Sequence, residues 1–377
     1  MALSSRRRGQ SLWTLGAIAS LVLFAQTWTR AHRAGGIDLT TYLEAARAIQ
    51  RGESPYALSL AFPYIYPPFL AFALIPLLYL PFDLVLAIWF AASLATMLWA
   101  LRAIVLRSGV VQAFSHPADS LTPFFAALIA ATYPIWQSNL RNGQVNFFVV
   151  ALAILALVAT RPARRGMAWG LSIAIKILPA ALAPFFVRRL EWRVSAAAWA
   201  TLAIVGLLPV LTLGAYVLPL TMQYGSSFLG GSFRAASASA TLDFSLGGIL
   251  TRASGVDSQA VRQLGTVLPV LAVFAIDLLS RRVPGTDAHM FAMYLAAIPL
   301  ASPKSEVHHI AFALPAVALA CGAVWFGIDR RRSFLAPLGV SAAAYVGALT
   351  LTAWSGVFWC SALIALLVAM SARRQAL

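Results

Sequence analysis

Few residues in this chain are equipped for chemistry, and they fall in a handful of places. Asp38 follows Ala34-Gly35-Gly36-Ile37 and precedes a run in which Leu39, Tyr42, Leu43, Ala46 and Ile49 recur at helical spacing. A carboxylate there serves in one of two ways. As the N-cap of the helix it would hold a free backbone N–H, worth about 1 kcal/mol. As a general base it would aim its oxygens at a substrate hydroxyl. Spacing alone leaves both open. Lys176 stands inside the apolar run Ile175-Lys176-Ile177-Leu178-Pro179. An ammonium there is costly, so it either snorkels to an interface or meets a phosphate-like anion. His308-His309 opens a late apolar run with Glu306 as acidic neighbour. It reads as a satisfied histidine pair or, with less support, a metal site; we expect no metal and no cofactor.

The elements that position these residues follow from composition. Of 377 residues, 60% are hydrophobic and 11% are charged. An ordinary soluble domain is about a quarter charged. The apolar content suffices for about eleven spans of some 20 residues each. A soluble enzyme, a disordered chain and a disulfide-rich module are excluded, and the continuous apolar runs exclude an alternating membrane barrel. The net charge of +16 is dispersed as short arginine clusters between apolar runs. That is the positive-inside pattern of a membrane protein, not the basic stripe of a nucleic-acid reader. Cys321 and Cys360 lie in apolar runs and offer no disulfide framework.

Placing the clusters Arg6–Arg8, Arg102 with Arg107, Arg161–Arg165, Arg188–Arg193, Arg281–Arg282, Arg330–Arg332 and Arg373–Arg374 inside fixes the topology. The run Ser11 to Thr29 is an uncleaved first helix. Leu84–Leu101, Leu121–Ser138, Val145–Thr160, Val194–Thr212, Leu264–Leu279, Ala288–Ser302, Ile310–Phe326, Phe334–Leu351 and Val357–Met370 are further crossings, and Met167–Val187 is a short hairpin broken near Lys176 to Pro179. The expectation is an all-α polytopic membrane protein in one domain, residues 1–377, with about twelve crossings and both termini in the cytoplasm. Two outer loops are long, 30–82 and 213–263. The first holds an amphipathic helix over 39–51, expected along the membrane surface with Arg47 and Arg51 toward water. It also holds the proline-rich segment 67–81, read as re-entrant or interfacial, with a short transmembrane helix as the other reading. Arg141, Arg234 and Arg252 fall outside, against the charge rule, where lipid phosphate or anionic head groups would hold them. Asp277 and Asp329 sit beside cytoplasmic arginines as local ion pairs.

Several stretches keep a family order. Asp38 and its helix lead to Gly52-x-x-Pro55-Tyr56 and Tyr64-x-Tyr66-Pro67-Pro68. Then come Asn142-Gly143-Gln144-Val145-Asn146, Ile175-Lys176-Ile177-Leu178-Pro179 and Ser302-Pro303-x-Ser305-x-x-His308-His309. Across most of its length the chain resembles the GT-C membrane glycosyltransferases. It is most similar to glycosyltransferase family 87, the polyprenyl-phosphomannose-dependent α-mannosyltransferases and related arabinofuranosyltransferases. It departs from that pattern at Glu306, where an aromatic is usual, and at Leu242-Asp243-Phe244, where an Asn-Gln pair usually precedes Ser245-Leu246.

The resemblance implies a GT-C-like fold that moves a sugar, foremost mannose, from a polyprenyl-phosphate donor to a hydroxyl of a glycolipid or glycan acceptor. The reaction would take place at the outer face of the cytoplasmic membrane, with inversion. Asp38 would be the general base. Lys176, Arg252, His308 and His309 would hold the donor phosphate or sugar, and Tyr64, Tyr66, Asn142, Gln144 and Asn146 the substrates. The absence of a Walker motif and of a DxD element agrees with a lipid-linked donor. The rival reading is a transporter or lipid flippase, but the ionisable residues gather at helix ends on one face rather than at a midplane between repeats.

Overall fold

The computed structural model describes residues 21–60, 62–109, 117–230, 243–279 and 287–326. Within them every regular element is a helix. Expectations for Arg6–Arg8, Arg234, Leu242, Arg281–Arg282, Asp329, Arg330–Arg332, Phe334–Leu351, Val357–Met370, Cys360 and Arg373–Arg374 fall outside the described residues.

Three described helices are long and apolar enough to cross a membrane: Phe82–Arg107, Trp192–Leu213 and Gln259–Leu279. Tyr133–Asn142 and Asn146–Val158 make a fourth if counted as one span, bent by 113°. The other apolar stretches form shorter helices, including Pro162–Ile175 and Asp287–Ala301. Three or four spans are thus seen among the described residues, where about twelve crossings of the whole chain are expected. Hydropathy averages over a window, whereas the backbone breaks at Thr132, at Gly143 to Val145 and at Lys176 to Ile177. The outer faces of the long helices are apolar. Trp199, Ile204, Leu207 and Leu211 on one, and Leu264, Leu268, Leu271 and Leu278 on another, are exposed, as lipid contact requires.

Close approach of two helices is visible in one motif, Gly166-x-x-x-Gly170. A Cβ on Gly166 would sit 2.4 Å from the Val194 carbonyl oxygen, and one on Gly170 2.7 Å from that of Ala198. Small residues four apart let the Pro162–Ile175 helix lie directly on the Trp192–Leu213 backbone. Arg165 closes one end of this pair on Glu191 at 2.7 Å. Nearby, the wholly buried Asp277 receives Arg188 at 2.7 Å, Arg189 at 3.0 Å and the Tyr294 hydroxyl at 3.2 Å. The expected ion pair at Asp277 is thus a buried clamp between the Gln259–Leu279 helix and the arginines that end Ala183–Arg188.

The first outer loop differs from expectation in two ways. The amphipathic helix runs Ile37–Gln50 and is clasped by protein instead of lying on lipid. Leu39 and Leu43 pack on Val85 and Leu86, while Tyr42, Ala45, Ala46 and Ile49 join the main core. Its N-cap is Gly36, in the left-handed region at φ 48°, with no side-chain cap. Asp38 is the second helical residue, so the capping reading of Asp38 is overturned. The segment 67–81 forms seven residues of α-helix, Pro68–Leu74, and five of 3-10 helix, Ile75–Tyr79. That is about 20 Å of rise against a hydrocarbon core of about 30 Å, too short to span.

The glycine contact makes a stability prediction. Gly166→Val forces a side chain into the Val194 backbone and should lower stability by about 1–3 kcal/mol, read as a reduced thermal midpoint in detergent. Gly206→Ala meets nothing within 4 Å on the same helix pair and should hold or raise the midpoint.

Candidate active site

A turn builds the first wall of the site. Tyr133–Asn142 ends at Gly143, whose φ of 71° is the left-handed conformation that glycine adopts without strain. A Cβ at Gly143 would also lie 2.6 Å from Leu39 Cβ. Gly143 therefore admits the start of the Ile37–Gln50 helix against the Asn142–Asn146 turn. Gln144 comes beside Asp38, and its side-chain amide favours the ionised form of that carboxyl. The Gln144 Oε1 accepts the hydroxyls of Tyr42 and Tyr66, each at 3.2 Å, and the two tyrosine hydroxyls meet at 3.0 Å. With Oε1 occupied by hydroxyl donors, the Gln144 amide is oriented to give its N–H to Asp38.

Asn146 begins the next helix and fixes the second wall. Its Oδ1 accepts from Lys176 Nζ at 2.8 Å. Its Nδ2 donates to the His308 carbonyl at 3.0 Å and to Asn139 Oδ1 at 3.1 Å. Asn139 donates to the same His308 carbonyl at 3.1 Å. Lys176 sits at the break after Pro162–Ile175, its Nζ 5.3 Å from the centre of the Tyr66 ring, a cation–π distance.

The third wall is the strip Ser302 to His309. Glu306 caps the 3-10 helix Val307–Ala313 and its carboxylate takes Lys304 Nζ at 2.8 Å. His308 Nδ1 lies 3.8 Å from the other Glu306 oxygen. His309 Nδ1 accepts the Glu306 backbone N–H at 3.0 Å. That nitrogen is therefore unprotonated, and the proton of the neutral ring is on Nε2.

These walls enclose a cavity of about 150 Å³ lined by Asp38, Tyr66, Gln144, Lys176, Glu306, His308 and His309 among others. Asp38 keeps a partial opening into it. Burial lifts the Asp38 carboxyl from its ordinary value of 3.8 to about 7. The Gln144 hydrogen bond and the Lys176 charge pull it down, and the Glu306 charge pushes it up. Among the described residues no group of three His, Cys, Asp or Glu is arranged to hold a metal ion.

The structure thus brings together Asp38, Tyr66, Gln144, Lys176, His308 and His309. Asn146 stands behind them as a support. Tyr64 is a framework residue, its hydroxyl donating to the Pro67 carbonyl at 2.8 Å and accepting Ala71 N–H at 3.1 Å. Asn142 and Arg252 are not among the lining residues. Asn142 is the last residue of its helix, and Arg252 occupies the last turn of Leu246–Ser254. Tyr42, Asn139 and Lys304 are neighbours of the site that the motifs alone do not mark. Tyr42 reads as a core position, and Asn139 is legible only as an amide seven residues before Asn146.

The match to a known family covers the middle of the chain, and Asp38, Glu306, His308 and His309 lie outside it. A family model described as glycosyltransferase family 87 matches residues 64–303. The chain belongs to glycosyltransferase family 87. A polyprenol-phosphate-mannose-dependent alpha-(1-2)-phosphatidylinositol mannoside mannosyltransferase of Mycobacterium tuberculosis is 29% identical over 89% of this chain and 82% of its own length. A pentamannoside mannosyltransferase of the same kind, from the same species, is 26% identical over 80% of this chain and 71% of its own. A mannoside mannosyltransferase from Mycolicibacterium smegmatis is 26% identical over 85% and 76%. The family decides between the readings that the sequence left: the chain is a glycosyltransferase, not a transporter or flippase.

The raised Asp38 value fixes two pH effects of defined sign. If Asp38 acts as a base, kcat/KM should climb with pH through about 7 and level off above it. Stability should run the other way. The folded protein holds this proton more tightly than the unfolded chain, so the carboxyl favours folding at low pH. That contribution is lost as pH rises from 3.8 through about 7. Asp38→Asn should therefore melt above the unaltered protein at pH 8, and the gap should close near pH 4, measured by thermal shift in detergent.

Proposed function

We propose that this enzyme transfers mannose from a polyprenyl-phosphate donor to a hydroxyl of a lipid-linked glycan acceptor, at the outer face of the cytoplasmic membrane. The observation that carries the reading is the placement of Asp38. A carboxyl with a value near neutrality lines a small cavity together with Lys176, His308 and His309. The relatives' names supply the donor class and a lipid-linked acceptor. The cavity suits the reacting groups, and the polyprenyl chain lies outside it against the apolar helices. The bent pair Tyr133–Asn142 with Asn146–Val158 supports a further crossing, and both termini face the cytoplasm by the arginine distribution.

The chemistry follows from these positions. Asp38 takes the proton from the acceptor hydroxyl as its oxygen attacks the anomeric carbon from the face opposite the phosphate. The bond from that carbon to the phosphate oxygen breaks, its electron pair stays on the phosphate, and the configuration inverts. Lys176 and the Nε2–H of His309 stabilise the charge gathering on the leaving phosphate, the larger electrostatic task in this displacement. A phosphate monoester leaves readily, so no general acid is required of the protein.

Two substitutions test this reading, using labelled polyprenyl-phosphomannose in membranes. Asp38→Asn keeps the size and helix position and removes the base. Transfer should fall by about 10²–10⁴ with insertion intact, and retention of more than about a tenth would refute the assignment. Lys176→Met removes a charge-assisted hydrogen bond, worth about 1.5–3 kcal/mol, and should raise the donor KM tenfold or more, as about that energy requires. An unchanged donor KM would place the phosphate elsewhere.

A further inference from the structure

One buried carboxylate lies outside the cavity and ties the second outer loop to the strip that forms its third wall. Asp243 Oδ1 accepts two backbone N–H groups from separate parts of the chain, Ser245 at 2.9 Å and Ser305 at 2.9 Å. The Phe244 N–H donates to the Ser305 carbonyl at 2.7 Å, so the two segments are bound in both directions. The Ser305 side chain takes no part: its hydroxyl is buried without a hydrogen-bond partner among the described residues. Ser305 contributes only backbone, and the specificity of the contact rests on Asp243.

The helix that follows is shaped around this carboxylate. Ser245 caps Leu246–Ser254, its Oγ accepting the Gly248 N–H at 3.0 Å. A Cβ on Gly248 would lie 2.5 Å from both the carboxyl carbon and Oδ2 of Asp243. Glycine inside a helix costs about 1 kcal/mol against alanine. Here the missing Cβ is the space that the Asp243 carboxylate fills.

We propose that Asp243 is a positioning residue for transfer. It clamps the second outer loop to Ser305 and so sets where Lys304, Glu306, His308 and His309 meet the donor. The inference rests on the reading that this strip contacts the donor.

The test measures the donor KM of purified enzyme with polyprenyl-phosphomannose varied. Asp243→Ala leaves two buried N–H groups unpaired and should raise the donor KM at least about fivefold, while Asp243→Asn, which keeps an acceptor oxygen, should stay within about twofold. Gly248→Ala is the second probe. It retains every hydrogen-bonding group, favours the helix and displaces the carboxylate, and it too should raise the donor KM. Where Asp243→Ala fails to insert, Gly248→Ala decides. A donor KM within about twofold of the unaltered enzyme in Gly248→Ala, or equal losses in Asp243→Asn and Asp243→Ala, overturns the clamp. Lys304→Met and His308→Ala separate the two ideas. If they raise the donor KM and the clamp variants do not, the clamp fails alone. If they leave it unchanged, the strip does not meet the donor and both ideas fall.

Discussion

Everything at the site depends on one buried amide. Asn146 holds the Lys176 ammonium through its oxygen and the His308 carbonyl through its nitrogen. Those two groups come from a broken helix and a 3-10 turn. An amide suits this task because it accepts and donates at one end of a short side chain. Leucine of similar size would take this acceptor from a buried ammonium, at a cost of about 1–3 kcal/mol or more, and leave the His308 carbonyl to Asn139 alone. The Asn139 side chain doubles the hold on His308 and fixes which way the Asn146 amide faces.

The broken helices follow from the same demand. A continuous span would satisfy its own backbone and offer only side chains to a substrate. At Gly143 to Val145 and at Lys176 to Ile177 the chain instead stops, so Gln144, Asn146 and Lys176 reach into one space from helix ends. Irregular backbone at this depth is tolerated only where protein or a cavity receives it. The hydrogen-bonded cluster of Tyr42, Tyr66 and Gln144 is that receiving surface, and it is wholly internal. Packing elsewhere is apolar and closely fitted, which lets a few polar links set the geometry of the site.

Much of this was legible in residue order. The amide-glycine-amide turn, the lysine at the break of a hairpin and the histidine pair were marked by type and spacing, and they converge in space. The helix Ile37–Gln50 was readable from Leu39, Tyr42, Leu43, Ala46 and Ile49. What spacing could not convey was its surroundings. An apolar stripe facing lipid and one facing Val85 and Leu86 look alike in a sequence. For the same reason Asp38 passed equally for a cap, since the cap depends on whether the helix starts at Gly36 or two residues later. The count of crossings was the least readable, because a hydropathy window does not register a bend at Gly143. Arg252 was drawn in by its charge alone, and charge says nothing of distance.

Two carboxylates and two lysines face the cavity, Asp38 and Glu306 with Lys176 and Lys304. In the displacement proposed, the donor enters as a phosphodiester with one negative charge and leaves as a monoester with two. The added charge is the one that Asp38 gives up when it takes the acceptor proton. The reaction therefore moves a single negative charge across the cavity and creates none. A site closed off from water pays for new charge in full but for relocated charge only in part. Burial of Asp38, which looks like a penalty in the resting enzyme, is then the condition under which turnover leaves the protein's electrostatic environment unchanged in sum.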